Sequence, residues 1–119
     1  MEFEIKDYTS MQCAIADFCR FLSENGVSSD RVFDSRLALN ELLGNALKYA
    51  GGTARLQATL HSEYIEITVL SKTAFIPPKK SRCSDVYAEH GRGLFLVDSV
   101  CFERSVSPDG GIQIKIKIQ

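Results

Sequence analysis

Ile112, Ile114, Ile116 and Ile118 alternate with Gln113, Lys115, Lys117 and Gln119 at the end of the chain. Successive side chains of a strand point to opposite faces, so this run predicts a half-buried strand with one apolar and one polar side. A sheet containing it is covered on one face only. What covers it must come from elsewhere in the 119 residues.

Two earlier segments have the period of helices. Met11, Ala14, Ile15, Phe18 and Leu22 fall on one helical face. Thr9 to Gln12 reads as the capping box that starts this helix, and Asn25-Gly26 as its left-handed end. Ser28-Ser29-Asp30 starts a second helix with a serine cap and an early acid. Val32, Leu39, Leu43, Ala46 and Ala50 form its apolar stripe, and Gly51-Gly52 stops it.

Strands account for most of the rest. Phe3 and Ile5 alternate with charges. Ala54, Leu56, Ala58 and Leu60 alternate, as do Ile65, Ile67 and Val69, and the short His61-Ser62 link makes them an antiparallel hairpin. A polar stretch from Pro77 to about His90 reads as a long functional loop. A short helix follows over Leu94 to Val100, then a strand carrying Phe102, Arg104 and Val106, and a turn at Pro108-Asp109-Gly110-Gly111. The order β-α-α-β-β-loop-α-β-β predicts a single α+β domain over residues 1–119, a two-layer α/β sandwich. Its sheet is mostly antiparallel, with three helices on one face.

Composition narrows the class. Hydrophobic residues are 45% and charged residues 24%, enough for a packed core. The net charge of -1 gives no electrostatic reason to expect nucleic acid or a membrane surface. No apolar run approaches a membrane span, and the charged, alternating N-terminus is unlike a signal peptide. Cys13, Cys19, Cys83 and Cys101 form no CxxC pair and have no histidine at zinc spacing, so buried free thiols in a cytoplasmic protein are expected. His61 reads as a turn residue and His90 as a loop residue.

The chemistry concentrates on the second helix. Glu41, Asn45 and Lys48 lie four and three residues apart, so they share one face. The amide oxygen of Asn45 can hold a hard cation, Lys48 can meet a phosphate, and Glu41 can deprotonate a nucleophile. A merely solvated face has the same spacing. Gly44-Asn45, two poor helix formers in mid-helix, tells against that reading. Gly91-Arg92-Gly93 opens the third helix, where backbone amides can face an anion. Lys79, Lys80 and Arg82 lie in the loop between.

Together these residues resemble the GHKL ATPase family, which includes histidine-kinase catalytic domains, and most of all its small anti-sigma-factor serine kinases. Glu41-Leu42-Leu43-Gly44-Asn45-Ala46-Leu47-Lys48-Tyr49-Ala50 is similar to the family's N-box, and Gly91-Arg92-Gly93-Leu94-Phe95-Leu96-Val97 to its second glycine box. The resemblance implies the Bergerat-type ATP-binding fold, with ATP and Mg2+ as cofactors. It implies Asn45 as magnesium ligand, Glu41 as general base, Lys48 near the phosphates, and Gly91, Arg92, Gly93 and Leu94 wrapping them. It implies a serine/threonine protein kinase that phosphorylates a STAS-type antagonist and binds a sigma factor, and it is compatible with a homodimer.

The first glycine box departs from the pattern DxGxGF. With Phe75 and Pro77 as anchors, Leu70 takes the place of the adenine-binding aspartate; a slip of one residue puts Ser71 there. Leucine cannot accept a hydrogen bond from an adenine amino group. Two functions therefore follow: an ATP-dependent kinase, or a non-catalytic binding module that has lost or weakened ATP binding. The catalytic half of a split histidine kinase is a weaker third reading, because no phospho-acceptor histidine lies in a suitable helix.

Overall fold

A computed structural model of the chain describes residues 1–49, 53–71, 96–106 and 111–118. The elements run β1 (Glu2–Ile5), α1 (Tyr8–Glu24), α2 (Ser29–Tyr49), β2 (Ala54–Leu60), β3 (Tyr64–Ser71), β4 (Glu103–Val106) and β5 (Ile112–Lys117). Residues 96–100 are also helical. The strands form one sheet in the order β1-β2-β3-β5-β4. Every neighbouring pair is antiparallel. The α+β sandwich expected from the sequence is the one observed.

The sheet is one-sided, as the isoleucine alternation requires. Ile112, Ile114 and Ile116 are buried, with Leu56, Ala58, Ile65, Ile67 and Val69 on the same face. Phe18, Leu22, Leu39 and Leu43 come down on them from α1 and α2, each 0% exposed. Burying a side chain of this size contributes about 1.5–3 kcal/mol, so this layer is the main source of stability. The other face is polar. Arg55 reaches Glu4 at 3.0 Å, Gln113 donates to Thr68 at 3.2 Å, and Lys115 pairs with Glu103 at 3.3 Å.

The start of α1 differs from the sequence reading. The cap is Asp7, not Thr9. The Ser10 backbone N–H donates to Asp7 Oδ1 at 2.8 Å, and Ser10 Oγ accepts from the Asp7 N–H at 3.1 Å. A carboxylate outside the helix competes better for its free amides than a hydroxyl two residues further on, already inside its first turn. The end agrees: Gly26 has φ +82°, a backbone that glycine adopts freely. The serine cap of α2 is present as a long 3.4 Å contact from the Arg31 N–H to Ser28 Oγ.

The stripe of α2 is wider than the sequence reading, with Ser35, Ala38 and Leu42 buried beside Leu39, Leu43 and Ala46. Ser35 can be buried because its hydroxyl donates to the Arg31 carbonyl at 2.9 Å. Cys13 is exposed, against expectation, because it lies off the buried face of α1; Cys19 is buried. The ends expected at Gly51-Gly52 and at Pro108 to Gly110, and Ala50, Cys83 and the loop from Pro77 to His90, lie outside the described residues.

Arg104 was read as one position of a simple alternating strand. Its side chain is only 12% exposed and forks onto Asp98, at 2.6 Å to one carboxylate oxygen and 3.1 Å to the other. This bidentate pair, with fully buried Val97, fastens the helical residues 96–100 to strand β4. The residues beside Arg104 on its alternation do not bury: Phe102 and Val106 are each 56% exposed.

Candidate functional site around helix α2

Helix α2 lies across β2, β3 and β5. Its inner side is fixed by the apolar stripe, which leaves Glu41, Asn45 and Lys48 on the shoulder turned away from the sheet. Glu41 and Asn45 are partly buried and Lys48 is exposed. Residues one turn apart stand roughly 6 Å from one another, close enough for the three side chains to share one polyanionic ligand. Lys48 also lies in the last turn, where a cation suits the negative end of the helix dipole.

Asn45 is the informative member. Its Nδ2 is buried and has no hydrogen-bond partner among the described residues. Leaving a buried donor unsatisfied costs about 1–3 kcal/mol, and asparagine is a poor helix former besides. A solvated polar face carries no such cost, because there the amide would be hydrated. An oxygen-rich ligand at this spot satisfies the amide, either through its N–H or, with the amide turned over, by lending its oxygen to a cation that the ligand carries. The residues present fit a magnesium–phosphate group on this observation.

Gly44 does not carry the same argument. A Cβ built there meets nothing within 4 Å, so no packed neighbour demands a glycine. The asparagine, rather than the glycine beside it, is the anomaly of this helix.

The end of β3 decides between the two registers of the first glycine box. Ser71 pairs with Ala54, which is 7% exposed and belongs to the core face, whereas Leu70 pairs with Arg55 on the outer face. Directly opposed residues share a face, so Ser71 points to the side that α2 covers and Leu70 does not. Of the two registers weighed from the sequence, the one with Ser71 in the aspartate's place puts that residue on the helix-covered side. Leu70 has a packing role instead. A Cβ on Gly111 would stand 2.6 Å from Leu70 Cδ2, so the glycine makes room for that leucine. The sequence reading saw Gly111 only as a turn residue. A cleft of about 240 Å³ lined by Glu4, Thr53, Ala54, Arg55, Leu70 and Ser71 opens at this end of the sheet. It includes no residue of α2, so it is separate from the Glu41–Asn45 face.

Phe75, Gly91, Arg92, Gly93 and Leu94, and the loop cations Lys79, Lys80 and Arg82, lie outside the described residues. Of the residues proposed from sequence, Glu41, Asn45, Lys48 and Ser71 are therefore the ones with a position. Among the described residues no group of three or more His, Cys, Asp or Glu side chains could hold a metal.

Residues 6–117 match the model of a family described as the histidine kinase-like ATPase domain. No curated protein matches the chain. No described helix is long and apolar enough to cross a membrane.

Proposed function

Because this chain belongs to the histidine kinase-like ATPase family, we propose that it is an ATP- and magnesium-binding serine protein kinase of the anti-sigma-factor type. In this reading it phosphorylates a STAS-type antagonist protein and binds a sigma factor, in the cytoplasm. The buried, unsatisfied amide of Asn45 is the observation that carries the nucleotide part. The anti-sigma part is supported by the resemblance of the Glu41–Ala50 and Gly91–Val97 segments described above.

The chemistry follows from the positions on α2. Asn45 would hold the magnesium, and Lys48 would lie against the phosphates. Bound magnesium supplies charge neutralisation of the phosphoryl oxygens. Glu41, one turn before Asn45, accepts the proton of the incoming serine hydroxyl. The hydroxyl oxygen bonds to the γ-phosphorus, the bond to the β–γ bridging oxygen breaks, and ADP leaves with that electron pair. Ser71 faces the adenine edge with a neutral acceptor where the family has a charged one.

That last substitution favours one alternative, a binding module on the same fold with weak or lost ATP affinity. Calorimetric titration with ATP, with and without magnesium, tests the first reading. Magnesium-dependent binding that Asn45→Ala abolishes is expected; no heat at millimolar ATP would reject it. Phosphate transfer to an antagonist protein, lost in Glu41→Ala while ATP still binds, would reject the alternative.

A further inference from the structure

Ser71 closes β3 at the same end of the domain as Asn45. Its strand partner Ala54 opens β2 five residues after Tyr49 closes α2, and α2 packs on both strands. Asn45 stands one turn before that helix end. The neighbours of Ser71 on this side are small and apolar. Ala54 is 7% exposed, Val69 4%, and Ala46, beside Asn45 in the helix, 4%. The inward positions of β2, β3 and β5 otherwise carry alanine, leucine, isoleucine and valine, so among the described residues no carboxylate shares that face of the three strands with Ser71.

We propose that the site takes purine nucleoside triphosphates as a class, GTP and inosine triphosphate as readily as ATP, with Ser71 as the residue that reads the base. The proposal rests on the nucleotide reading above and names the substrate class of that same site. A hydroxyl has a proton to give and lone pairs to accept with, and it rotates to suit its partner. It accepts from the 6-amino group of adenine, or donates to the 6-carbonyl of guanine or hypoxanthine. Both bonds join neutral groups, so they are of like strength. Discrimination needs a group that penalises the wrong partner. A carboxylate would do this by facing the carbonyl oxygen of guanine; serine brings no such penalty.

The apolar surroundings supply the other half of the specificity. A bicyclic base covers more of Ala54, Val69 and Ala46 than a single ring does, and apolar contact scales with the area covered. Purines therefore bind ahead of pyrimidines on area, while the hydroxyl leaves the purines level with one another. Asn45 and Lys48 meet the phosphates, which all these nucleotides share, so α2 adds affinity without choosing the base.

Calorimetric titration of the intact chain with the magnesium complexes of ATP, GTP, inosine triphosphate, CTP and UTP tests this. The three purine nucleotides are expected to have dissociation constants within about threefold of one another, with CTP and UTP about tenfold weaker. Ser71→Ala weakens the purine nucleotides together and keeps their ratios. Ser71→Asp moves the ATP-to-GTP preference toward ATP by about tenfold or more, and Ser71→Thr, which keeps a hydroxyl, leaves it level. Urea unfolding of each variant confirms that the fold compared is the same. A parent that prefers ATP or GTP by more than about thirtyfold overturns the proposal and leaves nucleotide binding standing. Pyrimidine nucleotides bound as tightly as purines overturn it too, as do unchanged ratios in a folded Ser71→Asp, which take base reading away from Ser71. Failure of every nucleotide to bind the parent overturns the nucleotide reading and this proposal together.

Discussion

Replacing Ser71 with aspartate, beside a matched Leu70→Asp, measures which residue faces the nucleotide base. The pairing of Ser71 with buried Ala54 sends its side chain to the helix-covered side, and the pairing of Leu70 with Arg55 sends that side chain to the other. A carboxylate at position 71 gives the adenine amino group a charged acceptor in place of a hydroxyl. Hydrogen bonds to charged groups contribute about 1.5–3 kcal/mol and neutral ones about 0.5–1.5, so the gain is about 1–1.5 kcal/mol, or about tenfold in affinity. Guanine presents a carbonyl where adenine has the amino group, so the same variant weakens GTP. Leu70→Asp puts its charge beside Arg55 and opens the contact with Gly111, which leaves ATP affinity unchanged. Calorimetry with magnesium-ATP and magnesium-GTP on the two variants is the assay. Tightening in Leu70→Asp and not in Ser71→Asp would refute the face assignment. No response to either nucleotide in either variant would remove this strand end from base recognition.

Phe18→Ala empties the centre of the helix–sheet interface and should cost about 3–5 kcal/mol in urea unfolding; a loss under about 1 kcal/mol contradicts the core described here. Gly44→Ala should raise stability by about 0.5–1 kcal/mol, since the site is helical and has open space for a methyl group; a drop would mean an unseen neighbour. The hydrogen bond from the Ser10 backbone, then its side chain, holds the Asp7 carboxyl below its ordinary pKa. A folded pKa below the unfolded one means that the cap's contribution is complete above the unfolded value and is lost as pH falls through the folded one. Asp7→Ala should therefore lower Tm at neutral pH, and the gap to the parent should close below about pH 4; a constant gap would count against the cap. Burial pushes the Cys19 thiol up, with Arg36 opposing, while Cys13 is exposed, so alkylation at about pH 8 should mark Cys13 first; earlier modification of Cys19 would contradict its burial.

Strong periodicity made the architecture readable. The isoleucine alternation of β5 and the stripe of α1 each specify a face without help from the rest of the chain, and both faces bury as expected. Local chemistry that depends on one competing group was harder. Asp7 and Thr9 are both good caps two residues apart, and only the backbone decides which lies outside the helix. Face assignment at the end of β3 was undetermined for a different reason. A shift of one residue reverses the side chain, and Phe75 and Pro77 anchored the motif from outside the strand, whereas pairing with Ala54 and Arg55 anchors it from within. Asn45 was singled out from sequence, but together with Gly44, and only its buried amide separates the two. The Arg104–Asp98 fork had no signal, since an arginine six residues from an aspartate across a strand start has no characteristic spacing.

The two rims of the sheet have a consequence for how the protein survives at high concentration. Among the described residues β1 and β4 each have one paired side, and the other row of backbone groups could template growth of the sheet by a further chain. Each rim is only four residues long, and the acids Glu2, Glu4 and Glu103 sit on them. A second molecule aligning there would gain few backbone bonds and would bring like charges together. The long, strongly apolar strands β3 and β5, which would aggregate most readily if uncovered, lie inside the sheet with partners on both sides. Strand order thus keeps the amyloid-prone segments out of reach of neighbouring molecules for as long as the domain stays folded.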